Sequence, residues 1–303
     1  MAPKLELGLG LPQLTTTWEK TLDAARAAES IGADSVWVID HVVGFRPPGA
    51  ILEAWTVLSA LAASTDRVEI GAQVLCQSFR NPALLAKMIA TLDHISRGRA
   101  RVLIGAGWFP PDYEQYGWPF PRAGIRIAQL RDAVRILRGM LREEPPFTYE
   151  GQYYSVRGAF NLPPPEHPMR VEVGGAGDRL LRMVAEEADG WNCPAVALPM
   201  VDERVGFLRE ACDRAGRSIS ELRMTVQIAC AVGDEEAEHD PVLANFAPQL
   251  GLVGTVNAAA RRVEALMELG ITGFYCIVPP GPRGRACFER LVTEVRPFVG
   301  AAK

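Results

Sequence analysis

Short β-branched runs alternate with amphipathic helical stretches along the whole chain, eight times over. Strand-like runs at 5–10, 35–39, 68–75, 100–105, 169–173, 189–193, 222–232 and 273–278 precede helical patterns at 18–31, 52–63, 81–95, 122–141, 178–187, 201–215, 257–269 and 283–298. In the first helical stretch Leu22, Ala25, Ala28 and Ile31 recur at helical spacing, and Gly32 follows as a stop. Pro82 falls in the first turn of the third, where its fixed φ suits a helix start. Alternating strand–helix units require a parallel sheet, and eight of them fit a closed (β/α)8 barrel of the TIM type. A doubly wound sheet usually has fewer units and a glycine-rich first turn. Here the first strand runs into Leu11-Pro12-Gln13-Leu14, with no GxGxxG. The expectation is one barrel domain over 1–303. Insertions near 143–168 and 233–254 interrupt the repeat, placed at barrel loops, where such folds carry specificity.

The chain has 303 residues, 48% hydrophobic, with a net charge of -4 and both signs of charge dispersed. No basic run or stripe marks a nucleic-acid partner. The apolar segment 50–63 is interrupted by Glu53 and is too short to span a bilayer, and residues 1–14 lack a signal-peptide pattern. A cytoplasmic enzyme acting on a small-molecule substrate is expected. The six cysteines (76, 193, 212, 230, 276, 287) include no CxxC pair, and the four histidines (41, 94, 167, 239) show no ligand spacing. Buried reduced thiols and no metal site are therefore expected, with Cys76 alone kept as a candidate reactive thiol.

In a barrel of this kind, polar residues just beyond the C-terminal ends of strands face the active site. The second strand ends in Asp40-His41, a pair suited to proton transfer, or equally to a cap beside a surface histidine. Gly71 within the third strand suggests a bulge or a close ligand approach, or equally tight helix packing. The fourth ends Gly105-Ala106-Gly107-Trp108: small residues that would admit a flat ring, then an indole that would wall a pocket, or else a tight turn with a packing Trp. The fifth ends Gly174-Gly175-Ala176-Gly177 at the start of a helix, a phosphate cradle of backbone N–H groups or a flexible turn. No carboxylate pair at strand ends and no GxSxG elbow supports glycosidase or serine-hydrolase chemistry.

Together these motifs resemble the luciferase-like monooxygenases and reductases. The residues that carry the likeness are Ser35-Val36-Trp37-Val38-Ile39-Asp40-His41, Asn81 to Lys87 and Leu92 to Arg99. With them go Gly105-Ala106-Gly107-Trp108, Gly151-Gln152-Tyr153-Tyr154, and Gly174-Gly175 followed by Ala188 to Asn192. Matches run in order from about residue 5 to residue 195. The likeness is strongest to the branch that uses the deazaflavin coenzyme F420. It implies a bacterial-luciferase-like barrel, His41 beside the reactive carbon, and a non-proline cis peptide between Gln73 and Val74 behind the ring. It also implies a phosphate on Gly174, Gly175, Ala176 and Gly177, and places Asp40, Gln73, Val74, Cys76, Gly105, Gly107 and Trp108 in the cofactor site. One departure is that the sugar-phosphate dehydrogenases of this branch carry Glu where this chain has Trp108; the nearest acids, Asp112 and Glu114, lie beyond Pro110-Pro111. That points to an apolar or aromatic substrate, with Trp55, Trp108 and Phe109 as candidate walls. Hydride transfer to or from F420, with His41 moving a proton or stabilising charge, is the leading expectation. FMN-dependent monooxygenation with reduced flavin and oxygen is the alternative, since a deazaflavin lacks the flavin's oxygen chemistry. A non-catalytic flavin-binding barrel is the third. The resemblance also suggests a homodimer, with the helices at 52–63 and 81–95 as its surface.

Overall fold

Parallel strands buried on both faces read as near-continuous apolar runs, and the barrel strands of this chain do so. The computed structural model describes residues 4–45, 49–233, 243–244, 246 and 250–301. In chain order its first elements are β1 (Glu6–Gly10), α1 (Trp18–Ile31), β2 (Ser35–Val38), α2 (Ala54–Ser64), β3 (Glu69–Ala72), β4 (Leu75–Cys76), α3 (Pro82–Ser96), β5 (Val102–Gly105), α4 (Pro110–Tyr116) and α5 (Ala123–Arg142). There follow β6 (Phe147–Glu150), β7 (Ser155–Ala159), β8 (Val171–Gly174), α6 (Asp178–Glu187), β9 (Gly190–Cys193), α7 (Val201–Arg214), β10 (Arg223–Val232), β11 (Leu252–Gly254), α8 (Val256–Glu268), β12 (Ile271–Ile277), α9 (Pro282–Arg290) and α10 (Arg296–Ala301). The sheet runs β3-β2-β1-β12-β10-β9-β8-β5-β4, parallel throughout. Its two ends, β3 and β4, are consecutive pieces of one strand, and a parallel bridge between Ile70 and Ala100 joins the ring. Eight barrel strands and their outer helices match the architecture expected from the sequence. No helix among the described residues is long and apolar enough to cross a membrane.

Local chemistry sets the helix limits. Gly32 ends α1 at φ 99, its N–H returning to Ala28 and Glu29. The Glu53 carboxylate caps α2 by accepting from the N–H groups of Trp55 and Thr56, and Asn81 caps α3 in the same way through Ala83 and Leu84. The run from Leu92 to Arg99 is a structural clamp. Arg99 donates to the carbonyls of Ser96, Ala62, Thr65 and Val68 and to the Thr65 hydroxyl, tying the end of α3 to the end of α2.

Three expectations need correction. The third strand is broken: β3 and β4 flank a cis peptide at Gln73–Val74, the bond that the resemblance implied. Gly71 is not the irregular position, because the Trp37 ring fills the space beside it. The segment after Trp108, to which the sequence pattern assigns no element, holds helix α4. The last helix is split by a π-helical turn at Leu291–Val295 between α9 and α10. The insertion at 143–168 leaves the end of α5, an αβ connection, and forms the antiparallel hairpin β6–β7 outside the barrel. Its Gly-Gln-Tyr-Tyr tip docks on Asp132 of α5, which accepts from the Tyr149 hydroxyl and the N–H groups of Tyr153 and Tyr154, while the Tyr154 hydroxyl donates to Gln77 just beyond β4. Most of the insertion at 233–254 lies outside the described residues; its end supplies β11, which extends the sheet beside β10.

The barrel interior is layered. At the N-terminal end, Arg101 pairs with Glu6 (3.3 Å), Glu69 (2.5 Å) and Glu172 (2.6 Å), and Arg223 pairs with Glu6 and Glu172. Burial raises the Glu172 carboxyl above the ordinary range although Arg101 opposes it, so this carboxylate depends on its arginine. Above this plug lies an apolar layer in which Trp37 and Tyr275 stack at 4.0 Å, packed with Leu103 and Val74.

Candidate active site

His41 lies three residues beyond β2, in the loop facing the C-terminal mouth. Its Nδ1 is 2.6 Å from Oδ2 of Asp112, a buried residue in the first turn of α4. The other oxygen, Oδ1, accepts from the N–H groups of Val42 (3.0 Å) and Val43 (3.1 Å). An ionised carboxylate only accepts, so the proton of neutral His41 sits on Nδ1 and Nε2 is left as a bare acceptor. Three rings meet the imidazole edge-on: Phe45 at 4.8 Å, Trp108 at 5.6 Å and Phe109 at 5.6 Å. Trp108 is 63% exposed, an indole presented at the mouth against His41, Phe45 and Phe109. A positioned imidazole with a free acceptor, walled by aromatic rings, can move a proton beside an apolar or aromatic molecule.

Asp40 takes a different place from its neighbour. Both its oxygens are engaged by Arg80 (2.8 and 3.1 Å), and Oδ2 also accepts from the Cys76 N–H, so it locks β4 to the end of β2. Burial raises its carboxyl above the usual range, with Arg80 pulling the other way. Arg80 continues to Glu53, the cap of α2. Cys76 is buried, within 3.4 Å of the Ser78 hydroxyl and 3.2 Å of that of Tyr113; burial pushes its thiol up, which holds it protonated and unreactive.

The glycines serve the protein's own side chains more than a ligand. A Cβ on Gly105 or Gly174 would meet a Val74 methyl at 2.5 Å, so Val74 wedges between the ends of β5 and β8. Gly107, at φ +76, makes room for the Tyr113 hydroxyl and Cys76. The space beside Gly105 is thus taken by Val74, and that beside Gly107 by Tyr113 and Cys76. In the Gly174–Gly177 turn, the Gly175 N–H donates to Asn192 and its carbonyl accepts from Trp191. Gly177 is different: it caps α6 with no side-chain hydrogen bond, and a Cβ there would meet nothing within 4 Å. Arg204 of α7 reaches this turn, 3.4 Å from the Ala176 carbonyl and paired with Asp178, and its Nε has no partner. An open helix N-terminus beside a guanidinium fits a phosphate.

Trp55 is not among the rings around His41; it lies under Arg80 and lines a groove between α2 and α3. Asp112 and Phe45 are the residues that sequence reading missed as site members. The signal for Asp112 was its position right after Pro110-Pro111, where a helix start places an acid in the first turn.

A parallel eight-stranded barrel with a buried carboxylate–imidazole pair at its mouth defines the class. The luciferase-like monooxygenase model matches residues 5–268, and the chain belongs to that family. It is 32% identical to an F420-dependent glucose-6-phosphate dehydrogenase of Kineococcus radiotolerans over 72% of this chain; the match spans 66% of that relative, just under two thirds of its length. It is 32% identical to a pyrimidine monooxygenase, RutA, of Cronobacter turicensis over 74% of this chain and 61% of that one. Among solved structures, an F420-dependent secondary alcohol dehydrogenase in complex with an F420–acetone adduct superposes with a TM-score of 0.84 at 22% identity, covering 98% of this chain and 99% of that one.

Proposed function

We propose that this protein is an F420-dependent oxidoreductase that moves a hydride between the deazaflavin and a small organic substrate of apolar or aromatic character. The observation that carries this reading is the His41–Asp112 pair held within an aromatic wall at the barrel mouth. The F420-dependent relative and structural neighbour support the choice of coenzyme. The orphaned Gln73 Oε1 beside Val74 and the open start of α6 are consistent with a ring and its phosphate. Bound there, the deazaflavin supplies the carbon that gives or takes the hydride. Val74 and the β5 end back the ring site, and the first turn of α6 with Arg204 holds the phosphate. His41 Nε2 takes or returns the substrate proton, and Asp112 keeps that nitrogen free and stabilises the charge that develops on the imidazole.

The monooxygenase relative favours a second reading, FMN chemistry with oxygen. Titration of the protein with oxidised F420 and FMN side by side, followed by fluorescence, decides between them. Selective F420 binding is expected; selective FMN binding would move the assignment to the monooxygenase.

We also infer a homodimer formed through α2 and α3. Their outer groove is lined by Trp55, Met88, Leu92 and Ile95, with Leu84 exposed nearby on α3. Such a patch is what an isologous interface covers. Light scattering behind a sizing column should give twice the 33.0 kDa chain mass; a monomer would refute the inference.

A further inference from the structure

Gln73 carries a buried polar atom with no partner among the described residues. The residue is 7% exposed, and its Oε1 meets no hydrogen-bond donor. The side chain reaches toward the ends of β1 and β12: a Cβ on Gly10 would sit 3.4 Å from Nε2 and 3.2 Å from the Cys276 carbonyl. Val74 takes the opposite side, against Gly105 and Gly174. Below them lies the Trp37–Tyr275 layer, so the Gln73 amide forms the polar half of the floor of the mouth, and Val74 the apolar half. Buried polar groups are almost always paired, and an acceptor left without a donor weakens the folded state. Gln13, also buried, uses both ends of its amide on Ile39 and Leu52.

We propose that the side-chain carbonyl of Gln73 is the hydrogen-bond acceptor for the imide N–H of the coenzyme ring, a donor that flavins and deazaflavins share. The proposal rests on the coenzyme reading above and names the residue that recognises the ring's polar edge. It makes two expected effects of opposite sign. Removing the carbonyl relieves the free protein and deprives the ligand. A residue that merely packs would do the reverse, lowering stability with no effect on affinity.

The test compares the parent protein with Gln73→Met, which keeps length and volume but has no acceptor. Melting of the ligand-free protein should rise by about 2–4 °C. Binding of whichever of F420 and FMN the parent takes should weaken roughly 10-fold. In a second arm, 3-methyl-FMN or the matching 3-methyl deazaflavin, methylated at the imide nitrogen, should bind the parent about as weakly as the natural coenzyme binds the variant. The methylated ligand should lose nothing further in Gln73→Met. An unchanged dissociation constant for the variant overturns the proposal whatever happens to melting. Equal affinity of the parent for methylated and unmethylated ligand overturns it with no variant involved. If the parent binds neither F420 nor FMN, the coenzyme reading falls and the proposal with it; if the parent binds and only the Gln73 arms fail, the coenzyme reading stands alone.

Discussion

Replacing Asp112 by Asn should lower turnover by roughly 10²–10⁴-fold while coenzyme affinity stays within a few-fold of the parent. The amide oxygen can still accept from Val42 and Val43, so the loop keeps its shape. Its NH₂, however, faces His41 Nδ1, where the carboxylate accepted a hydrogen bond. The imidazole is then driven to carry its hydrogen on Nε2, and the mouth loses its bare acceptor. Turnover would be followed as F420 oxidation or reduction with the first substrate that a screen yields, and affinity by fluorescence titration. Nitrogen NMR of the histidine ring gives a check that needs no substrate: Nδ1–H in the parent, Nε2–H in the variant. His41→Ala should cost about as much, and the double variant little more, because the two side chains act as one unit. A variant with normal turnover, or with affinity and turnover lost in parallel, would remove Asp112 from the mechanism.

The largest stability effect is expected at the other end of the barrel. Arg101→Met takes one of two cations from Glu6 and from the fully buried Glu172, leaving Arg223 alone to balance them. Breaking a buried pair by removing one partner costs about 3–5 kcal/mol. For a chain of this length that is a fall in melting temperature on the order of 10 °C. Pairing it with Glu172→Leu, which removes the most deeply buried carboxylate, should recover much of the loss, since a buried ion pair contributes little net stability over an apolar replacement. Thermal denaturation of the four proteins in the cycle gives the coupling. Additive losses would mean that Arg101 acts through its packing on Trp37, 5.7 Å from the ring, and not through its charge.

The barrel was legible in the sequence because its signal is periodic. Each strand is short and apolar, each helix has an apolar face, and caps such as Gly32 and Asn81 mark the ends. The cis bond at Gln73–Val74 came from the family pattern and not from any local feature of Ala72 to Leu75. His41 was found because strand ends define the mouth. Asp112 was not, since its role depends on helix α4, and two prolines after two aromatics carry little periodic signal. Glycines were ambiguous for a related reason. Gly71 read equally as a ligand approach or as packing, and the resemblance placed Gly105 and Gly107 in the cofactor site; the space beside them is filled by Trp37, Val74 and Tyr113 from distant parts of the chain. A missing side chain in a sequence announces a close approach but not which group approaches. The charged plug was invisible for the same cause: Glu6, Glu69, Glu172 and Arg223 sit on four different strands and Arg101 just before a fifth, and only closure of the ring brings them together.

The stacked Trp37–Tyr275 layer separates that plug from the mouth. In an evolving lineage such a partition uncouples two kinds of selection. On the proposed reading, changes among Phe45, Trp108 and Phe109 would alter the mouth without drawing on the charges that hold the ring shut, and changes at the closed end would leave the imidazole in place. A family built this way can change substrates many times over on one unaltered base.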